Sequence, residues 1–124
     1  MSKYGKELIL DLHDCKSSFK FNRKDLDIFF KVLCNLIGMK KCKRTFWDYK
    51  GYPEEYEKAP IHLKGTSAVQ FISTSNITIH TLDEMKRVYL NIFSCKPFDE
   101  EIAIAFCQEW FAGKIVNSQI IDRF

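Results

Sequence analysis

The chain has 124 residues, a formal net charge of +3, and 46% apolar against 28% charged residues. This is the composition of one ordinary globular domain long enough to bury a core, not of a disordered chain or a strongly basic nucleic-acid-binding one. No stretch approaches the ~20 apolar residues needed to cross a bilayer, and MSKYGKELIL at the start lacks the apolar core of a signal peptide.

Glu7–His13 (ELILDLH) predicts a first strand. Asn22-x-x-Asp25 opens a helix expected to run to about Met39. Leu26, Phe29, Phe30, Leu33 and Ile37 fall on one face of it, and Gly38 sits where a helix stops. The cations Lys40, Lys41, Lys43 and Arg44 read as its solvated end rather than as a phosphate contact. A second strand is expected over 42–50, and 51–60, with two prolines and three glutamates, reads as a loop.

Strands over 66–73 and 77–81 follow, joined tightly near Ser73–Asn76. A short link over 82–86 leads to another strand, Arg87–Ser94. Pro97 and the acids Asp99, Glu100 and Glu101 open a second helix, with Ile102, Phe106 and Trp110 along one face and a stop near Gly113. Ile115–Ile121 is the final strand.

Leu10–Lys16 (LDLHDCK) echoes Leu90–Lys96 (LNIFSCK), and each leads into a helix and then a strand. The expected fold is α+β: a two-layer sandwich, a mostly antiparallel sheet with two helices on one face, in pseudo-repeated β-α-β halves. The other sheet face must be polar or covered by a partner. Eleven Phe, five Tyr and two Trp are many for this length, enough for a core and for one or two rings in a pocket or an oligomer interface. The five cysteines are odd in number and show no C-x-x-C spacing, so neither a disulfide framework nor a zinc ribbon is suggested, no metal is expected, and a reducing cytoplasm fits best.

Three chemically capable side chains cluster in the second half: Ser75, His80 and, twenty positions after the serine, Cys95. Singly, a serine at a strand junction is a turn residue, a strand histidine is an ordinary polar group, and a cysteine ending a strand is a small buried apolar group. Alternation along a strand puts Ser75 and His80 on opposite faces, so a shared site needs a bend at the junction.

Their surroundings matter more than the bare trio. Gly65-Thr66-Ser67-Ala68-Val69, then Ser75-Asn76-Ile77-Thr78-Ile79-His80-Thr81, then Glu84, then Asn91-Ile92-Phe93-Ser94-Cys95 resembles the short prokaryotic S-adenosylmethionine decarboxylases. Leu8–Cys15 (LILDLHDC) is similar to that family's first strand, and the likeness spans nearly the whole chain.

The resemblance implies a proenzyme, one domain over 1–124 that cleaves itself into 1–74 and 75–124. Ser75 would attack the carbonyl of Thr74, converting the peptide to an ester. Ser67 would stabilise the tetrahedral oxyanion, and His80 would remove the Cα proton of Ser75. β-Elimination then releases the Thr74 carboxylate, and hydrolysis of the dehydroalanine leaves a pyruvoyl group. That covalent cofactor would form a Schiff base with the amine of S-adenosylmethionine and draw electrons as carbon dioxide leaves. Cys95 would return the proton, and Glu84 would bind the ribose hydroxyls. The resemblance also implies a homodimer, no nucleic-acid or membrane partner, and a product that serves as aminopropyl donor for spermidine.

The chain departs from the family pattern in places. Thr74 and Asn76 replace the usual Glu and His beside the serine, and Leu82-Asp83 replaces Trp-Pro before Glu84. Ile61 stands where an aromatic is expected, with Phe19, Phe21 or Trp47 as substitutes for stacking the adenine. Two alternatives follow: the same chemistry on a basic amino acid such as arginine or ornithine, or an unprocessed, non-catalytic paralogue that regulates a partner.

Overall fold

The computed structural model describes all residues from Met1 to Phe124. One six-stranded sheet runs β2-β3-β4-β5-β1-β6, with β1 Gly5–His13, β2 Lys41–Trp47, β3 Gly65–Ile72, β4 Ser75–Leu82, β5 Arg87–Ser94 and β6 Lys114–Arg123. Every neighbouring pair is antiparallel. Helix α1 (Arg23–Leu36) follows β1, α2 (Pro53–Lys58) follows β2, and α3 (Glu100–Phe111) lies between β5 and β6. The two expected halves are present as β1-α1-β2 and β5-α3-β6, with the β3–β4 hairpin between them.

The caps explain the helix bounds. The Asn22 side chain accepts from the Asp25 amide, and the chain leaves α1 through Gly38 at φ 70°. Asp99 accepts from the amides of Glu101 and Ile102 to start α3, with two glutamates in its first turn. Leu8, Leu10 and Leu12 of β1, Ile77 and Ile79 of β4, and Leu90 and Ile92 of β5 are buried against Phe29, Phe30 and Leu33 of α1 and Phe111 of α3. The Phe29 ring lies 5.0 Å from that of Phe111 and 5.5 Å from that of Phe106. Burying each such side chain stabilises the fold by roughly 1.5–3 kcal/mol, and this packing fixes which sheet face is covered. The opposite face, carrying Glu7, Asp11, Ser67, Thr78, His80 and Asn91, is left open by the helices.

Several expectations change. The segment 51–60 contains α2, started by Pro53 at its first turn with Glu54 and Glu55 behind it. Lys41, Lys43 and Arg44 belong to strand β2 rather than a helix end, and Arg44 pairs with Asp27. Along α3 the buried stripe is Ala103, Cys107 and Phe111, one residue on from the face of Ile102, Phe106 and Trp110, and Ile102 is exposed. Small residues at 103 and 107 bring α3 close to its neighbours, so rotation toward them buries Phe111 fully. Finally, β4 is regular from Ser75 to Leu82, and no bend follows the serine.

Candidate active site

The β3–β4 hairpin closes through Ser73 and Thr74, with Ile72 paired to Ser75. Thr74 sits at φ 58°. A β-branched residue is strained in that left-handed region, which glycine or asparagine occupies more readily. Ser75 is buried, at 7% exposure, and its Oγ accepts a hydrogen bond from the Cys95 amide at 3.2 Å. The Ser75 hydroxyl in turn points at the Cys95 sulfur from 3.9 Å, and the Thr74 Oγ1 lies 3.1 Å from it. The hairpin turn thus rests on the end of β5, because β4 and β5 pair in register from Asn76–Phe93 onward. The Thr74 hydroxyl, and after it those of Ser75 and Tyr4, hold the Cys95 thiol below the usual thiol range. By contrast, burial pushes Cys15 and Cys34 up to about 11.

Cys95 opens onto a cavity of about 150 Å³ that Tyr4, Lys6 and Lys96 also line. The Ser75 hydroxyl is buried against the Cys95 amide and sulfur, a position in which a carbonyl group made from the serine would face the thiol.

A second constellation stands elsewhere on the hairpin. Ser67 and His80 are register partners across β3 and β4, and Ser67 Oγ lies 2.8 Å from His80 Nδ1. They face the open side of the sheet, beside a hollow of about 280 Å³ lined by Trp47, Tyr49, His62 and Tyr89. His80 is five residues along β4 from Ser75, about 16 Å at the usual rise, and the two point to opposite faces. One chain therefore brings Ser75, Thr74 and Cys95 together, and separately Ser67 and His80.

Glu84 lies in the β4–β5 turn at the Ser67–His80 end and pairs with Lys64 at 3.4 Å. Its neighbour Asp83 is pushed up, mainly by burial, and accepts from the Tyr56 hydroxyl at 2.6 Å. That contact, more than any other, drives the Tyr56 phenol to about 12. Of the aromatics expected to replace position 61, only Trp47 lines this hollow. Phe21 is buried against Phe111 and Phe19 is exposed at 73%. Tyr49, Tyr56 and Tyr4 escaped the sequence reading, since nothing local marks a tyrosine as site-facing until the strands are paired.

A sequence profile described as S-adenosylmethionine decarboxylase matches residues 6–124. The chain is 28% identical, over 99% of its length and 97% of the relative's, to an S-adenosylmethionine decarboxylase proenzyme of Clostridium botulinum strain Langeland. It is 27% identical, over 88% of its length and 84% of the relative's, to the proenzyme of strain Loch Maree. The fold matches the crystal structure of the adenosylmethionine decarboxylase from Aquifex aeolicus with a TM-score of 0.77 at 16% identity, covering 99% of this chain and 92% of that one.

Proposed function

The chain belongs to the S-adenosylmethionine decarboxylase family, and from that premise we propose how its own residues carry out the decarboxylation of S-adenosylmethionine. Family membership favours this substrate over arginine or ornithine, and the chemistry over a non-catalytic role. The observation that carries the residue assignment is the Thr74–Ser75 bond: a left-handed threonine in a two-residue turn, followed by a buried serine hydroxyl against Cys95.

Ser75 Oγ attacks the Thr74 carbonyl, and the backbone strain at Thr74, of the order of 1–3 kcal/mol, is released when the turn opens. Ser67 stabilises the oxyanion and His80 takes the Cα proton of Ser75. The 2.8 Å contact between them fixes the imidazole's orientation. The chain becomes 1–74 and 75–124. The pyruvoyl group made from Ser75 supplies the carbonyl that takes up the substrate amine and withdraws electrons as carbon dioxide leaves. Cys95 delivers the proton that replaces the carboxylate, and Glu84 holds the ribose hydroxyls. The product serves as aminopropyl donor for spermidine. Five unpaired cysteines favour the reducing cytoplasm.

Because Ser67 and His80 stand about 16 Å from Ser75 and on the other face, they cannot serve the serine of their own chain as folded. We assign them to the Ser75 of a second copy, in a homodimer whose contact reaches the Thr74–Ser75 turn. An intact-mass measurement under denaturing conditions tests both statements. The wild-type chain gives two fragments split at Thr74–Ser75, the second blocked at its N-terminus, and Ser75→Ala stays whole. Ser75→Ala and His80→Ala chains, each uncleaved alone, give cleavage of the His80→Ala chain when co-expressed. A wild-type chain that remains whole on prolonged incubation overturns the processing scheme. Absence of cleavage in the mixture overturns the exchange between copies.

A further inference from the structure

The proposed self-cleavage begins with a serine hydroxyl, a weak nucleophile until a base takes its proton. Ser67 and His80 of the same chain stand about 16 Å away on the other sheet face, and their proposed roles lie with the oxyanion and the Cα proton. Every hydrogen bond of the Ser75 hydroxyl goes to one residue. The Cys95 amide donates to Ser75 Oγ at 3.2 Å, and the hydroxyl donates to the Cys95 sulfur at 3.9 Å. The amide thus holds one lone pair of the oxygen, the proton is aimed at sulfur, and the other lone pair is left for the adjoining Thr74 carbonyl carbon. The Thr74 hydroxyl completes the arrangement: its Oγ1 lies 3.1 Å from the sulfur and donates to the Ser73 carbonyl at 2.7 Å. A hydroxyl placed so accepts from the thiol, or turns and donates to the thiolate.

We propose that Cys95 is the catalytic base of self-cleavage, its sulfur taking the Ser75 hydroxyl proton as Oγ attacks the Thr74 carbonyl and returning it to the nitrogen that leaves. The inference rests on the self-cleavage reading and is independent of the part Cys95 plays in turnover. Protons and electrons balance within the turn. As the Ser75 O–H bond breaks, its proton passes to the sulfur and Oγ bonds to the Thr74 carbonyl carbon, whose π pair moves onto the carbonyl oxygen. When that oxyanion collapses, the C–N bond breaks with its pair on the Ser75 nitrogen, which takes the proton from the Cys95 thiol. The acyl group has moved from nitrogen to oxygen, and the thiolate is restored. The surroundings favour that thiolate, since the Thr74 hydroxyl and then that of Ser75 lower the thiol. Of the lysines lining the adjoining cavity, Lys3 pairs with Asp122 and Lys6 with Glu100, while Lys96 donates to the Gly38 carbonyl and has no carboxylate partner. Tyr4 is the remaining titratable group there.

The test uses His80→Ala, which by the same scheme stalls at the ester. Hydroxylamine at saturating concentration cleaves that ester at residue 74. After the burst from ester already present, fragment formation followed by intact mass therefore reads the acyl shift alone. In His80→Ala the rate rises with pH as the thiol ionises and then levels off. Adding Cys95→Ala slows it by about 10²-fold on the plateau and removes the rise. Cys95→Ser keeps the amide contact and nearly the same size, and does the same at an unchanged Tm, which separates loss of the base from loss of the fold. Thr74→Val keeps the β-branch, loses the hydroxyl, and moves the rise to higher pH. An acyl shift as fast in the Cys95 variants as in their parent, or a rise with pH that survives in them, overturns the inference alone. Wild-type and His80→Ala chains that stay whole, with hydroxylamine and without it, overturn the self-cleavage reading and this inference with it.

Discussion

The β3–β4 hairpin carries its chemical groups in two places, and the two are built by different means. Near its open end, Ser67 meets His80 because the ladder pairs those residues directly, and Trp47 pairs with Ser67 from β2. The contact follows from backbone register and is as firm as the sheet. At the turn end, Thr74, Ser75 and Cys95 meet only because three segments converge: the turn, the end of β5 and the start of β1. A register-fixed pair suits a group that must hold one orientation. A site made of a turn and two strand ends would suit the bond proposed to break and the thiol proposed to serve turnover. The covered and open faces of the sheet divide the same way, with Ser75 on the helix side and His80 opposite.

Breaking the register-fixed pair has the largest expected effect. His80→Ala should slow self-cleavage by about 10²–10⁴-fold and leave the ester, which hydroxylamine cleaves at residue 74. Processing at the wild-type rate would remove His80 from the scheme. A backbone insult separates the two regions next. A Cβ at Gly65 would meet the Thr81 carbonyl oxygen at 1.6 Å, so Gly65→Ala should cost roughly 1–3 kcal/mol or more in urea denaturation. It should disturb Ser67–His80 while leaving Cys95 alkylation unchanged; a loss of Cys95 reactivity equal to the loss of stability would show the two regions to be one unit. The smallest effect sharpens the contrast at the turn. In a Ser75→Ala background, which cannot cleave, Thr74→Gly should raise stability by about 1 kcal/mol, seen as a higher Tm. With Ser75 present it should slow cleavage. An unchanged Tm would mean that no strain is stored at Thr74.

Much of the fold was legible because its signals are local. Asn22 with Asp25, Gly38 and Asp99 mark helix ends through bonds spanning three residues or fewer, and β5 was bounded at Arg87–Ser94 by its apolar alternation alone. Helix α2 was hidden because a proline and glutamates suit a loop and a first turn equally. Along α3 the sequence marks Ile102, Phe106 and Trp110 as one apolar face, but only packing against β1 and α1 selects Ala103, Cys107 and Phe111 for full burial and leaves Phe106 and Trp110 partly buried at the edge of the core.

The candidate site divides along the same line. Sequence by itself determined the residue types, their order and spacing, and with them the family. It also put Ser75 and His80 on opposite faces, since side chains on a strand alternate. Only the tertiary structure decided that β4 runs straight from the serine. It alone set Ser67 against His80 at 2.8 Å, rested Thr74 and Ser75 on Cys95, and brought Tyr4 from the far end of the chain to the cavity that Cys95 lines. Periodicity along one strand fixes a face. Which residue on the next strand shares that face at the same height depends on register, and register is set by the whole sheet and the core beneath it.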